Sequence, residues 1–377
     1  MIRFEAHARD GRARLGLLRT GHGTVATPAL LPVGTQGTVK GVLPTALRAL
    51  GFEMLLANTY HLHLRPGEET IAAVGGLHAF MGWDGPILTD SGGYQVFSLA
   101  KTCRVDEEGV EFRSHVDGAL VGLTPEKALA IQRALGSDVA MVLDECPPDP
   151  ADRAAVAAAV ERTLRWAERS ARARSAVPDS ALFGIVQGGV HEDLRRSCAE
   201  ALAGIGFDGY AIGGVSVGEG KEALRAGIEA SARHLPGEKP RYLMGVGLPE
   251  DLAFAIAEGI DLFDCVAPTR NGRNGLAYTL SGVLHLRNAE HARDGGPIEE
   301  GCDCPACERF SRAYVRHLFQ CGEMLGAILA TLHNLRFFAR WMEGARRAIA
   351  EGRYAPFARA FLEGYEKGAP PEPEGAP

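Results

Sequence analysis

Short apolar runs recur along this chain, each followed by a longer stretch with helical spacing. The runs are ATPALLPV at 26–33, FEMLLAN at 52–58, GPILTD at 85–90, DVAMVLDE at 138–145, ALFGIVQGG at 181–189, DGYAIGG at 208–214, RYLMGVG at 241–247 and DLFDCV at 261–266. Their near-continuous apolar character is that of strands covered on both faces, which predicts a parallel sheet. Helices are predicted between them at 45–50, 125–135, 151–173, 191–203, 221–234 and 249–258. Thr124-Pro125-Glu126 offers a cap followed by proline in the first turn, and Leu248-Pro249-Glu250 is similar. Eight β/α units in succession predict the α/β class and a (β/α)8 TIM barrel, with a doubly wound sheet as the alternative.

Three segments fall outside that rhythm. Residues 1–24 predict a short antiparallel opening with a turn at Thr20-Gly21-His22-Gly23. Residues 91–123 alternate polar and apolar positions around Glu-Gly and Asp-Gly pairs, which predicts a β-hairpin excursion. After the eighth strand comes a long cysteine-bearing interval. The expected organisation is a barrel core over 1–267, a zinc-binding insertion over 268–336 and closing helices over 337–368. A Pro/Glu/Gly-rich tail over 369–377 is expected to be disordered.

Composition narrows the setting. At 377 residues, 46% hydrophobic and 23% charged, the chain suits one large soluble barrel with an insertion. A net charge of −7 means that any surface for nucleic acid must be local. The start, MIRFEAHARDGRARLG, is polar and unlike a signal peptide, and no apolar run reaches membrane-span length. A cytoplasmic protein is expected, with no membrane partner. In that reducing setting clustered cysteines point to metal before disulfide.

In a TIM barrel the chemistry sits at the C-terminal strand ends. Those ends carry Asn58, Asp90, Asp144, Gln187, Gly213-Gly214, Met244 and Asp264. A carboxylate beside an amide can hold a flat heterocycle by its hydrogen-bonding edge. Asp90 opens the string DSGGYQ, where Ser91 and two glycines form a close-approach loop and Tyr94 can stack on a planar ligand. Two carboxylates from different strands suit displacement at an anomeric carbon, one attacking and one shuttling a proton. Asp264 and Asp90 are the candidates. Beyond Asp264, the stretch APTRNGRNG reads as a flexible basic loop in which Arg270 and Arg273 form an anion track.

Cys302, Cys304 and Cys307 place three thiolates within six residues. That spacing suits tetrahedral zinc, with the fourth ligand to come from His333, His317 or Cys321. A closed Cys3His site would be structural. Residues 309–347 also hold seven arginines against two acids, a candidate phosphate track.

The strings TPALLPVGTQGTVKG, NTYHLHLRPG, DSGGYQVFSL, DECPP, GIVQGG, AIGGVSVGE, YLMGVG, FDCVAPTRNGRNG and CDCPAC, in this order, resemble the tRNA-guanine transglycosylases of the queuosine pathway. The resemblance runs from about residue 4 to about residue 365. It implies Asp264 as nucleophile at the ribose C1′ and Asp90 as general acid/base. It also implies Asp144, Gln187, Gly214 and Ser91 for recognition of the base, with Tyr94 and Met244 sandwiching it. Cys302, Cys304, Cys307 and His333 match one structural zinc per subunit, and Arg270 and Arg273 match a tRNA-contacting loop. The implied reaction exchanges guanine at wobble position 34 of GUN-anticodon tRNAs (Asp, Asn, His, Tyr). Cys146 and Val217 match the bacterial form, whose incoming base is preQ1. The chain leaves no room for the extra C-terminal RNA-binding domains of archaeal relatives, and a homodimer is implied.

Three rivals fit less well. His61-Leu62-His63 is a metal-ligand pair of amidohydrolase type, but later strand ends show Gln187 and Gly213 where that class needs histidines. A non-catalytic RNA-binding subunit would be expected to lose an aspartate that this chain keeps. A phosphate-binding barrel isomerase would explain Ile212-Gly213-Gly214 but not the cysteines.

Overall fold

Eight short parallel strands form a closed ring. They are β1 (Ala29–Leu31), β2 (Leu55–Ala57), β3 (Ile87–Thr89), β4 (Val139–Met141), β5 (Ala181–Val186), β6 (Gly209–Ile212), β7 (Arg241–Leu243) and β8 (Leu262–Asp264). Each pairs in parallel with its sequence neighbour from β2 to β8, and β8 pairs with β1 through Asp264 and Leu31. The last seam, between β1 and β2, is closed by a parallel bridge between Val33 and Leu56 and by Gly34 N–H donating to Leu56 O at 2.7 Å. A doubly wound sheet would have two free edges; this one has none, so the fold is a (β/α)8 barrel. This computed structural model describes residues 2–95, 103–147, 149–174, 180–215 and 220–367. Val217 and the tail at 369–377 lie outside the described residues.

The chain divides into two compact units, residues 1–38 with 53–265 and residues 39–52 with 266–377. In the first, the outer helices include α1 (Pro125–Leu135), α2 (Arg153–Arg174), α3 (Glu192–Ile205), α4 (Gly220–Ala232) and α5 (Pro249–Ala257). The Thr124 side chain accepts from Lys127 N–H and caps α1, while Gly136 ends it in the left-handed region at φ 77°. Every residue of β2 to β6 is buried, as the unbroken apolar runs require.

Two segments differ from expectation in strand number. The run at 26–33 is split: Gly23–Thr27 completes a three-stranded antiparallel sheet with Arg3–Asp10 and Ala13–Thr20, and β1 starts after Pro28. Proline has no N–H to continue the ladder, so the break falls there. The excursion is a three-stranded antiparallel sheet, Cys103–Val105, Val110–Arg113 and Leu120–Leu123, rather than a two-stranded hairpin. Residues 96–102, which lead into it, lie outside the described residues.

At the N-terminal strand ends the polar groups seal the barrel. Arg14 and Asp261, 1% and 0% exposed, form a buried ion pair, and Asp261 also accepts Arg241 N–H at 2.7 Å. Asp138 Oδ2 accepts Ile87 N–H at 2.9 Å and bonds His78, while Oδ1 bonds His22.

In the second unit, Ala267–Arg273 is a helix, so Arg270 and Arg273 do not lie on a flexible loop. The Asn-Gly pairs that suggested turns serve packing instead. A Cβ on Gly272 would lie 2.8 Å from Thr331 Cα, so only glycine lets this helix meet α6 (Met324–Ala350). Asn334 of α6 then donates to Pro268 O and Leu276 O, both at 2.9 Å, and accepts Tyr278 N–H at 2.9 Å. The helix α6 runs unbroken through residue 336, the expected boundary between insertion and closing helices. Of the seven arginines three are ion-paired within this unit: Arg312 with Asp294, Arg336 with Asp303 and Glu343, and Arg340 with Glu299. The charge of those three is offset by acids, mostly at 294–303, upstream of the arginine run.

Candidate active site and metal centre

Asp90 stands immediately after β3, 6% exposed, inside a cage of donors. Thr59 N–H donates to Oδ1 at 2.8 Å; Gln95 Nε2, at 2.7 Å, and Asn58 Nδ2 donate to Oδ2. Burial pushes this carboxyl up to about 6 against those donors, and the Asp264 charge pushes the same way. Asp264 ends β8 and is half-buried. Its Oδ1 accepts Tyr242 Oη at 2.6 Å and Gly245 N–H at 2.7 Å, and no described donor reaches Oδ2. Burial raises its pKa, and the two donors oppose the rise. One oxygen is held and the other is left bare, the arrangement a carboxylate nucleophile needs.

The second part of the site lies beyond β4, β5 and β6. Asp144 Oδ1 accepts Ser91 Oγ at 3.1 Å and Oδ2 accepts Gln187 Nε2 at 2.7 Å. Burial raises the Asp144 pKa. Gln187 Oε1 is buried with no partner among the described residues. An orphaned buried acceptor is costly, so its position calls for a ligand donor. Two glycines make room here. A Cβ on Gly93 would lie 2.8 Å from Asp144 O, and one on Gly214, at φ 61°, would lie 2.4 Å from Gln187 Oε1. Tyr94, 49% exposed, follows the DSGG loop, and Met244, half-buried, follows β7.

The sequence reading missed Gln95 and Tyr242. Tyr242 was accessible in principle, because it lies in β7, the strand that pairs with the one ending in Asp264. His61 and His63 lie in the helix Thr59–Leu64, with His63 Nδ1 2.6 Å from Glu68 Oε2 and the His61 ring edge-on to Tyr60.

In the second unit, the sulfurs of Cys302, Cys304 and Cys307 lie 3.6, 3.7 and 3.3 Å from His333 Nδ1. Tetrahedral zinc with ordinary Zn–S and Zn–N bonds sets its sulfur and nitrogen ligands about 3.6 Å apart. His333 Nε2 lies 2.7 Å from Tyr278 O, which fixes the proton on Nε2 and turns the Nδ1 lone pair to the sulfurs. The donor set fits zinc with no open position. His317 and Cys321 instead face each other at 3.7 Å on the surface. A second triad, His22, His78 and Asp138, also brings its donors within 4.8 Å of one another. Its imidazoles are stacked 3.7 Å apart and 19° from parallel, so their lone pairs do not converge on one ion.

Acids gathered at the C-terminal strand ends of a closed barrel, in a chain with a separate Cys3His cluster, mark a (β/α)8-barrel enzyme whose metal stands apart from its carboxylates in sequence. Comparison with known proteins gives the family. The family model described as queuine tRNA-ribosyltransferase matches residues 10–367. A queuine tRNA-ribosyltransferase of Thermus thermophilus is 58% identical over 362 residues, covering 96% of this chain and 93% of its own. Those of Novosphingobium aromaticivorans and Nitrosomonas europaea are each 54% identical, covering 96% of this chain and 98% and 97% of theirs. The chain belongs to the queuine tRNA-ribosyltransferase family.

Proposed function

We propose that this enzyme exchanges guanine in tRNA for a preformed base, acting at wobble position 34 of GUN-anticodon tRNAs with preQ1 as the incoming base. The family and the names of its relatives support tRNA ribosyl transfer in the queuosine pathway. The observation that carries the chemistry is the pairing of a half-held carboxylate, Asp264, with an acid poised near 6, Asp90.

Asp264 Oδ2 attacks C1′ of the target nucleoside. The C1′–N9 bond breaks, its electron pair leaves with guanine, and the Asp90 carboxyl supplies the proton that neutralises the base. A ribosyl ester on Asp264 remains. The incoming base then gives its ring N–H proton to the Asp90 carboxylate and its nitrogen displaces Asp264 from C1′. Two displacements at one carbon retain configuration and return both carboxyls to their starting states. The base edge is read by Asp144 and Gln187 as acceptors for its N–H donors and by the Gly214 N–H as donor to its carbonyl, with Ser91 supporting Asp144. Tyr94 and Met244 stack on the two ring faces, and Val217 completes the pocket.

Zinc on Cys302, Cys304, Cys307 and His333 supplies a structural cross-link, since those four residues fill its coordination shell. Arg270 and Arg273 contact tRNA phosphates, and the enzyme works as a cytoplasmic homodimer. The experiment is to incubate the protein with labelled guanine and an unmodified GUN-anticodon tRNA. Label entering the RNA, and leaving it when preQ1 is added, is expected; absence of incorporation would overturn the reading.

A further inference from the structure

Behind the base-reading side of the barrel, α3 presents a fully buried arginine. Arg195 is 0% exposed, and its guanidinium reaches three backbone carbonyls. Nε donates to Gly189 O at 2.6 Å, Nη1 to Gly213 O at 3.1 Å and Nη2 to Gly214 O at 2.6 Å. These carbonyls belong to two loops, the one that follows Gln187 and the one that follows β6. One turn further along α3, Cys198 Sγ accepts Gln187 N–H at 3.4 Å. One helix face therefore grips the backbone on both sides of Gln187 and both glycines beyond β6.

The chain has made room for this group. A Cβ on Gly188 would lie 2.5 Å from Arg195 Cγ, and one on Gly227 of α4 would lie 3.0 Å from Nε. Burying a guanidinium is costly unless its donors are matched, and the planar fork matches several carbonyls at once. Geometry links the grip to ligand recognition. In a planar trans peptide the C=O and the next N–H point in opposite directions. Tying Gly213 O to Arg195 therefore turns the Gly214 N–H away from the arginine. A carbonyl bonded to a cation also polarises its peptide, which strengthens that N–H as a donor.

We propose that Arg195, supported by Cys198, is the positioning residue of the base-reading loops. It fixes the Gly214 N–H and the Gln187 amide and so sets affinity for the base rather than for the RNA. The inference rests on the base-exchange reading above.

Arg195→Met, Arg195→Lys and Gly227→Ala test it, with guanine as the base and unmodified tRNA as the acceptor. The wild-type control separates the two ideas, because failure of wild type to incorporate guanine overturns the function and not the loop assignment. With exchange established, Arg195→Met is expected to raise KM for guanine about tenfold or more, the scale of lost charge-assisted hydrogen bonds, while KM for tRNA stays within about twofold. Arg195→Lys keeps the charge but not the fork, and falls between. Gly227→Ala crowds the guanidinium from outside the loops and shifts KM for guanine in the same direction should Arg195→Met fail to fold. Equal changes in both KM values, or none in a folded Gly227→Ala protein, would overturn the proposal.

Discussion

Tyr242 Oη donates to Asp264 Oδ1 at 2.6 Å, from the neighbouring strand of the barrel. The bond stabilises the ionised form of a carboxylate whose burial works against ionisation. Tyr242→Phe removes that donor and leaves Gly245 N–H alone on Oδ1. The Asp264 pKa then rises, so a larger share is protonated and unable to attack at mildly acid pH. Exchange by Tyr242→Phe is expected to fall furthest below wild type at the acid end of the pH range and to recover toward it as pH rises. A loss independent of pH would mean that the hydroxyl orients Asp264 without tuning it.

Asp264→Asn removes the proposed nucleophile while keeping the side-chain shape. No RNA-linked species should then survive on denaturing gels, where wild type mixed with tRNA should show one. Persistence of that species would move the covalent role to another side chain.

Asp90 gives a pH signature of opposite sense in the two half-reactions. In the free enzyme burial, aided by the Asp264 charge, holds its carboxyl at about 6. Proton donation to departing guanine requires the protonated form, so kcat/KM for tRNA should fall as pH rises through about 6. In the proposed ester Asp264 carries no charge, so the Asp90 pKa should drop below its free-enzyme position. Asp90 is then ionised and ready to accept a proton, so kcat/KM for the incoming base should fall only as pH drops below 6. Identical pH limbs for the two substrates would remove Asp90 from the proton transfers.

How far these features were legible depends on the range of the interactions that make them. Barrel strands announce themselves because both faces are buried, and Asp90, Asp144, Gln187 and Asp264 follow from counting to strand ends. His333 could not be separated from His317 and Cys321 by spacing, because the choice rests on Tyr278 O holding Nε2, 55 positions away. Arg270 and Arg273 were misplaced onto a loop for a related reason. Asn-Gly pairs carry a strong local turn signal, and contacts of Gly272 with Thr331 and of Asn334 with Pro268 override it. Arg195 gave no signal: one more arginine early in a helix reads as solvated surface until the fold buries it.

Zinc should act on stability and not on chemistry. Elemental analysis of purified protein is expected to give one zinc per chain. Cys304→Ser or chelation should expose 266–367 to protease, since Cys302 and Cys304 are part of that unit's buried core. Metal-free protein with unchanged protease resistance would mean the four residues do not need the ion to pack.

Arg270 and Arg273 should be distinguished from the neighbouring arginines by salt. Arg312, Arg336 and Arg340 are paired with Asp294, Asp303, Glu343 and Glu299, so replacing them should cost stability. Arg270 is exposed, while Arg273 is partly buried with an Nη1 that has no partner among the described residues, and both burial and Arg270 lower its pKa. Two like charges held close together suit an anionic ligand. Each phosphate contact releases condensed cations from the RNA, so losing both should flatten the slope of log binding constant against log salt by about one to two units. The affinity loss of Arg270→Ala/Arg273→Ala should therefore be largest at low salt and shrink as salt rises. An equal loss at every salt concentration would mean that the pair shapes the helix Ala267–Arg273 rather than holding phosphate.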